Sequence, residues 1–131
     1  RRGIKLNTIM LKDLNPILDY YTPVIVTNEN HVKNQKELVT KFMKAVAQGY
    51  EFSIKNPTEA SKILIKSAPE LNIELVKQSQ IYLSREYQSD AKKWGIQQEV
   101  VWGRYMQWLY DQKLIKKAIN VKDAFTNEFL P

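Results

Sequence analysis

The chain has 131 residues, 44% of them hydrophobic, a length that suits one domain and a composition sufficient for a core. It holds no cysteine and a single histidine, His31, which excludes disulfides, thiol catalysis, cysteine-ligated metals and His-rich metal sites. The net charge of +6 is spread along the polar faces of predicted helices (Lys33, Lys36, Lys41, Lys44, Lys55, Lys62, Lys66), so it reads as solvated surface and not as a nucleic-acid footprint.

In chain order, Ile4 to Met10 alternates Ile4, Leu6 and Thr8 against Lys5 and Asn7, the pattern of a strand. Residues 11–22 hold Asp13, Asn15 and Pro16 and read as a loop. Pro23 to Thr27 is almost wholly apolar and does not alternate, the habit of a strand buried on both faces of an α/β sheet. Leu38, Phe42, Val46 and Tyr50 then fall at helical spacing, which predicts a helix from about Gln35 to Ile54 with Gly49 in its middle. Asn56-Pro57-Thr58-Glu59 reads as the next helix start, with Asn56 as cap and Pro57 at the first helical position. That helix turns Ala60, Ile63, Leu64 and Ala68 inward and ends near Pro69. A third follows Asn72 with Leu75, Val76, Ser79, Tyr82 and Leu83 on one side. Ser89 to Gly95 reads as a turn closed by a left-handed glycine. A fourth long helix spans about Gln97 to Gln112 and is apolar on two sides, and Asn120 opens a last short helix that ends near Phe129. Two strands with four or five helices leave a sheet without neighbours. The start Arg1-Arg2-Gly3, without methionine, points to chain upstream, so the lack of a visible signal peptide carries no meaning. No apolar run approaches the roughly 20 residues of a membrane span.

Catalytic constellations are absent. The four glycines form no phosphate-binding loop. His31 reads as a solvated loop residue and not as a base, and Glu86 with Asp90 as ordinary surface carboxylates four apart. Trp94, Trp102 and Trp108, with Tyr105 and Tyr110, read as helix packing in preference to a ligand box. Asp19-Tyr20-Tyr21 differs, because no periodicity demands aromatics in that loop. Two tyrosines can sandwich a flat ring and Asp19 can accept hydrogen bonds from an amino group, so these three are the candidate ligand-binding residues.

The order of motifs then becomes specific. Asp19-Tyr20-Tyr21-Thr22-Pro23-Val24-Ile25-Val26-Thr27-Asn28-Glu29 is followed by Phe42-Met43-Lys44-Ala45, Gly49-Tyr50-Glu51-Phe52 and Asn56-Pro57-Thr58-Glu59-Ala60. Trp94-Gly95, Trp108-Leu109 and the run 123–131 come later. Together these resemble the solute-binding proteins of ABC importers, most of all the thiamine-precursor (pyrimidine) binders and the related alkanesulfonate binders. The resemblance covers nearly the whole chain from about Ile4. It implies an α/β chain that is the C-terminal fragment of a two-lobed periplasmic-binding-protein (type II) fold, mostly helical with two strands. Residues 1–22 would be a remnant of the second lobe with the cleft loop, and residues 23–131 the crossover strand and C-terminal helices of the first. The implied ligand is a pyrimidine-like small molecule and the implied partner an ABC permease. The implied location is extracellular, on a lipoprotein anchor, or periplasmic. No catalytic residue, metal, cofactor or nucleic-acid partner is expected, and the unpaired strand would permit strand exchange between copies. The rival readings are a pyrimidine-synthesis enzyme of the same fold, disfavoured by the single histidine, and a stand-alone helical interaction module.

Overall fold

The computed structural model describes residues 5–131, and among these every regular element is helical. The chain divides into two compact units. Unit 1 takes residues 1–26 and 97–126, and unit 2 takes residues 27–96 and 127–131.

Unit 2 is built from four helices: α2 (Glu29–Asn34), α3 (Lys36–Lys55), α4 (Pro57–Ser67) and α5 (Ile73–Glu86). Its caps explain most of the boundaries. Asn28 begins α2 by accepting the His31 amide at 2.9 Å, and Asn72 begins α5 by accepting the Leu75 amide at 2.9 Å. Pro57 opens α4 at the position where its missing N–H is harmless. Asn56 corrects the sequence reading, since its side chain does not cap α4. Its amide faces backwards and donates to the Phe52 carbonyl at 3.2 Å, closing α3 instead. Glu59 pairs with Lys62, at 3.1 Å. Helices α3, α4 and α5 pack on one another, and the buried residues there are small: Ala47 on α3 and Ser61 on α4. Small side chains let helix axes approach closely. The buried Ser61 hydroxyl is satisfied by the Thr58 carbonyl at 2.7 Å. After α5 the chain reaches Gly95 at φ +82°, the left-handed terminator that the sequence predicts. A Cβ there would meet Leu130 Cδ2 at 2.9 Å, so a larger residue at this left-handed position would also press on the 127–131 segment. That segment is tied down by Lys36 to Glu128 at 2.7 Å and by Lys93 donating to the Pro131 carbonyl at 2.6 Å, and it buries Phe129.

Unit 1 holds α1 (Leu11–Leu14), a 3₁₀ turn (Pro16–Leu18) and the longer helix α6 (Glu99–Asp111), followed by a second 3₁₀ turn (Val121–Asp123). Residues 11–22, read as loop, thus carry two short helical turns, the second capped by the Asn15 side chain at 3.0 Å from the Ile17 amide. The last helix proves to be one 3₁₀ turn, capped by Asn120 and ended before Phe125. Met106 on α6 is buried, and Gly103 leaves Val121 Cγ2 3.6 Å from where its Cβ would stand.

Both expected strands are corrected. Ile4 lies outside the described residues, and 5–10 form no strand. Pro23–Thr27 forms none either, and Val24, Ile25 and Val26 are 37%, 48% and 82% exposed. A strand is a pairing, and among the described residues these segments have no ladder partner. The same deficit runs along the helices. Leu38, Phe42, Ile63, Leu64, Leu75 and Tyr82 are predicted to face inward, yet all are exposed. Apolar stripes this regular lack their covering surface.

Candidate functional site

The loop after the first 3₁₀ turn is the place where the sequence concentrates aromatics without a periodic reason. Asp19 closes the turn by donating its amide to the Pro16 carbonyl at 3.2 Å, and the next two residues leave in the same loop as Tyr20 and Tyr21. Across from them stands α6, which brings Val101, Trp102 and Tyr105 to one face at helical spacing. Tyr20 stacks on Tyr105 with centroids 4.1 Å apart and planes 12° apart. Tyr21 meets Trp102 at 6.3 Å with a 43° tilt. Trp102 is backed in turn by Phe125 at 5.7 Å, nearly parallel, and its indole N–H donates to Gln97 at 2.7 Å. Tyr20, Tyr21, Thr22, Val101, Trp102 and Tyr105 line a mostly apolar depression of about 170 Å³.

The two ring pairs offer different things. A flat ring seated between two others needs about 7 Å, two stacking distances of roughly 3.5 Å. Tyr20 and Tyr105 are too close to admit one, so Tyr20's inner face is already taken. Tyr21 and Trp102 form a wedge only slightly short of that spacing, with Trp102 held from behind. Burial, with the neighbouring Tyr20, raises the pKa of the Tyr105 hydroxyl above the ordinary tyrosine value.

Polar contacts fix the loop to the helix. The Tyr21 hydroxyl accepts the Gln98 amide at 3.0 Å, at the very start of α6. Arg104 donates Nη2 to the main-chain carbonyl of Asp19 at 2.8 Å. Its Nε is buried and has no hydrogen-bond partner. An unpaired buried donor costs about 1–3 kcal/mol, more when charged. The carboxylate of Asp19 is exposed and does not line the depression, so of the three residues singled out in the sequence only the tyrosines face it. Trp102, Tyr105 and Arg104 were missed as site residues. Helical periodicity accounts for the first two as packing, and nothing local marks a contact 77 or 85 residues away.

Other candidates resolve into structure. His31 lies on α2, not in a loop, with Nδ1 3.0 Å from the Thr27 hydroxyl. Glu86 ends α5 and Asp90 lies in the following turn, so the two share no helix face. Trp94 belongs to unit 2, stacked on Tyr50 at 4.4 Å, while Tyr87 meets the same ring edge-on at 4.9 Å. Among the described residues no group of three or more His, Asp or Glu is placed to hold a metal, and no helix is long and apolar enough to cross a membrane.

Against known proteins, residues 1–60 match the family model described as NMT1/THI5 like. Over 122 residues the chain is 27% identical to the formylaminopyrimidine-binding protein of Halalkalibacterium halodurans, covering 86% of this chain and 37% of that protein. Over 137 residues it is 23% identical to the riboflavin-binding protein RibY of Chloroflexus aurantiacus, covering 99% of this chain and 38% of that protein. The chain therefore spans less than two-fifths of the length of both relatives. These matches agree with the resemblance read from the motifs, one relative being named for binding a formylaminopyrimidine. The family match implies a periplasmic-binding-protein fold, and both relatives are named for binding and not for catalysis.

Proposed function

We propose that this chain is part of a solute-binding protein of an ABC importer whose ligand carries one heteroaromatic ring, a pyrimidine thiamine precursor being the best fit. The observation that carries the reading is the one-ring size of the depression between the Tyr20–Tyr21 loop and α6. An apolar cavity of about 150 Å³ holds a benzene ring, and the volume here is about 170 Å³. The first relative is named for a formylaminopyrimidine, a one-ring ligand of the size that this part of the pocket accommodates. Most drug-sized sites need about 300 Å³ or more. The rest of the pocket then comes from the remainder of a longer parent, in which two lobes close around the solute. Tyr20 and Tyr21 supply ring faces and hydroxyls to that part of the pocket. No bond is made or broken. The parent works outside the cytoplasm, periplasmic or held by a lipid anchor, and hands its solute to a permease.

Calorimetric titration of the full-length parent with a formylamino- or hydroxymethyl-pyrimidine tests this. Binding should be seen, and Tyr20→Ala with Tyr21→Ala should weaken it at least about tenfold, about 1.4 kcal/mol, with riboflavin binding more weakly throughout. Unchanged affinity in the double variant moves the site elsewhere, and tighter binding of riboflavin rejects the one-ring assignment.

A further inference from the structure

Arg104 is the one described residue with a buried side-chain donor left unpartnered, and it stands between Trp102 and Tyr105 in sequence, the two residues that form the helix side of the depression. It does not itself line that depression. Its Nη2 holds the carbonyl oxygen of Asp19 at 2.8 Å, and that oxygen belongs to the peptide group joining Asp19 to Tyr20. Asp19 has φ −90° and ψ 87°, outside the helical and ordinary extended regions, so the direction in which Tyr20 leaves the turn depends on what holds this peptide plane. A guanidinium offers a charge-assisted bond in a fixed planar geometry. Apart from it, the polar tie described between loop and helix is the Tyr21 hydroxyl on the Gln98 amide.

From this geometry we infer that Arg104 is the positioning residue of the site: by fixing the Asp19–Tyr20 peptide it sets the Tyr20 and Tyr21 rings against α6, without touching the ligand. As regards ligand affinity this rests on the solute-binding reading above; as regards loop geometry it does not. The site of a lone ring depends on face-to-face spacing within a fraction of an ångström, so a loop tied by one charged bond is where specificity is set.

Two measurements on the full-length parent decide it. The first needs no ligand. The Gln98 amide donates to the Tyr21 hydroxyl, so its hydrogen exchange reports whether Tyr21 is in place. In Arg104→Met, which keeps an apolar stem, Gln98 should exchange about tenfold faster while the thermal midpoint stays near that of the unaltered protein. Arg104→Lys should restore most of the protection. The second is calorimetric affinity for formylaminopyrimidine, which should fall about tenfold in Arg104→Met and recover in Arg104→Lys. A backbone ester at Asp19–Tyr20, which weakens the accepting carbonyl and leaves Arg104 in place, should reproduce the exchange effect and add nothing when combined with Arg104→Met. This variant decides the matter if Arg104→Met fails to fold. Unchanged Gln98 exchange in the folded variants, or additive effects, overturns the assignment. If the unaltered parent does not bind the pyrimidine, the solute reading fails and exchange alone still judges Arg104.

Discussion

Unit 1 and unit 2 each hold a cluster of stacked aromatics beside a shallow depression, and the two differ in what their polar atoms do. In unit 2, Tyr50 of α3 is gripped by Trp94 and Tyr87, and the Tyr87 hydroxyl donates to Gln80, whose amide reaches the Ser53 carbonyl, both at 3.4 Å. Rings and polar groups alike are used within the unit. In unit 1, the rings lie in a loop and on one helix face, Tyr21 and Trp102 stay splayed, and Arg104 keeps an unpartnered Nε. The number of aromatics does not separate a packing cluster from a binding surface. An unclosed ring pair does.

Four variants test how firm that distinction is. The largest expected effect is at Trp94. It is half-buried and stacked, so Trp94→Ala should cost about 2–3 kcal/mol in urea unfolding, below the range for a fully buried tryptophan. Ligand affinity per folded molecule should stay constant, and a loss of affinity would blur the division between the clusters. Gly95→Ala comes next, at about 1–2 kcal/mol, from the positive φ and the close approach of Leu130. A wild-type melting curve would mean that the 127–131 segment relaxes freely. Gly49 sits in the middle of α3, where an added Cβ meets nothing within 4 Å. Gly49→Ala should therefore stabilise unit 2 by roughly 0.5–1 kcal/mol. Destabilisation in the longer parent, together with stabilisation here, would show that another element packs into that notch. The smallest effect concerns Tyr105. Its raised pKa means that its contribution to stability is fully present below the unfolded value of about 10 and is lost as pH rises through the higher folded value. Tyrosinate absorbance should show two late-ionising tyrosines, Tyr87 and Tyr105, and only one of them in Tyr105→Phe. An ordinary titration would mean that the Tyr20–Tyr105 stack opens readily.

The sequence made the helices legible where apolar spacing and a cap agree. Helix α5 begins at Asn72 and α3 spans Lys36–Lys55 against an expected Gln35–Ile54. It misled where one residue serves two elements, as Asn56 closes α3 when it is expected to open α4. Pro23–Thr27 has a strand's composition, but composition cannot supply the neighbour that makes a strand, and the described residues hold none. Helix α2 went unread although Asn28 followed by Glu29 is a fair start signal, because the apolar periodicity begins only after it. For the site, Tyr20 and Tyr21 stand out because nothing periodic calls for them. Their counterparts on α6 are masked by the very periodicity that makes α6 a helix, and the pairing across more than 70 residues leaves no local trace.

That separation has a consequence in time. The Tyr20–Tyr21 loop is translated 77 to 85 residues before Gln98 and Arg104, the groups that hold it. At about 5–20 residues per second, that is a wait of roughly 4–17 s. Meanwhile α2 to α5, whose contacts are local, can already form. The contacts between the tyrosine loop and α6 are thus among the last features of this chain to assemble, and a ribosome that stalls within unit 2 leaves helices without the loop's partner rings.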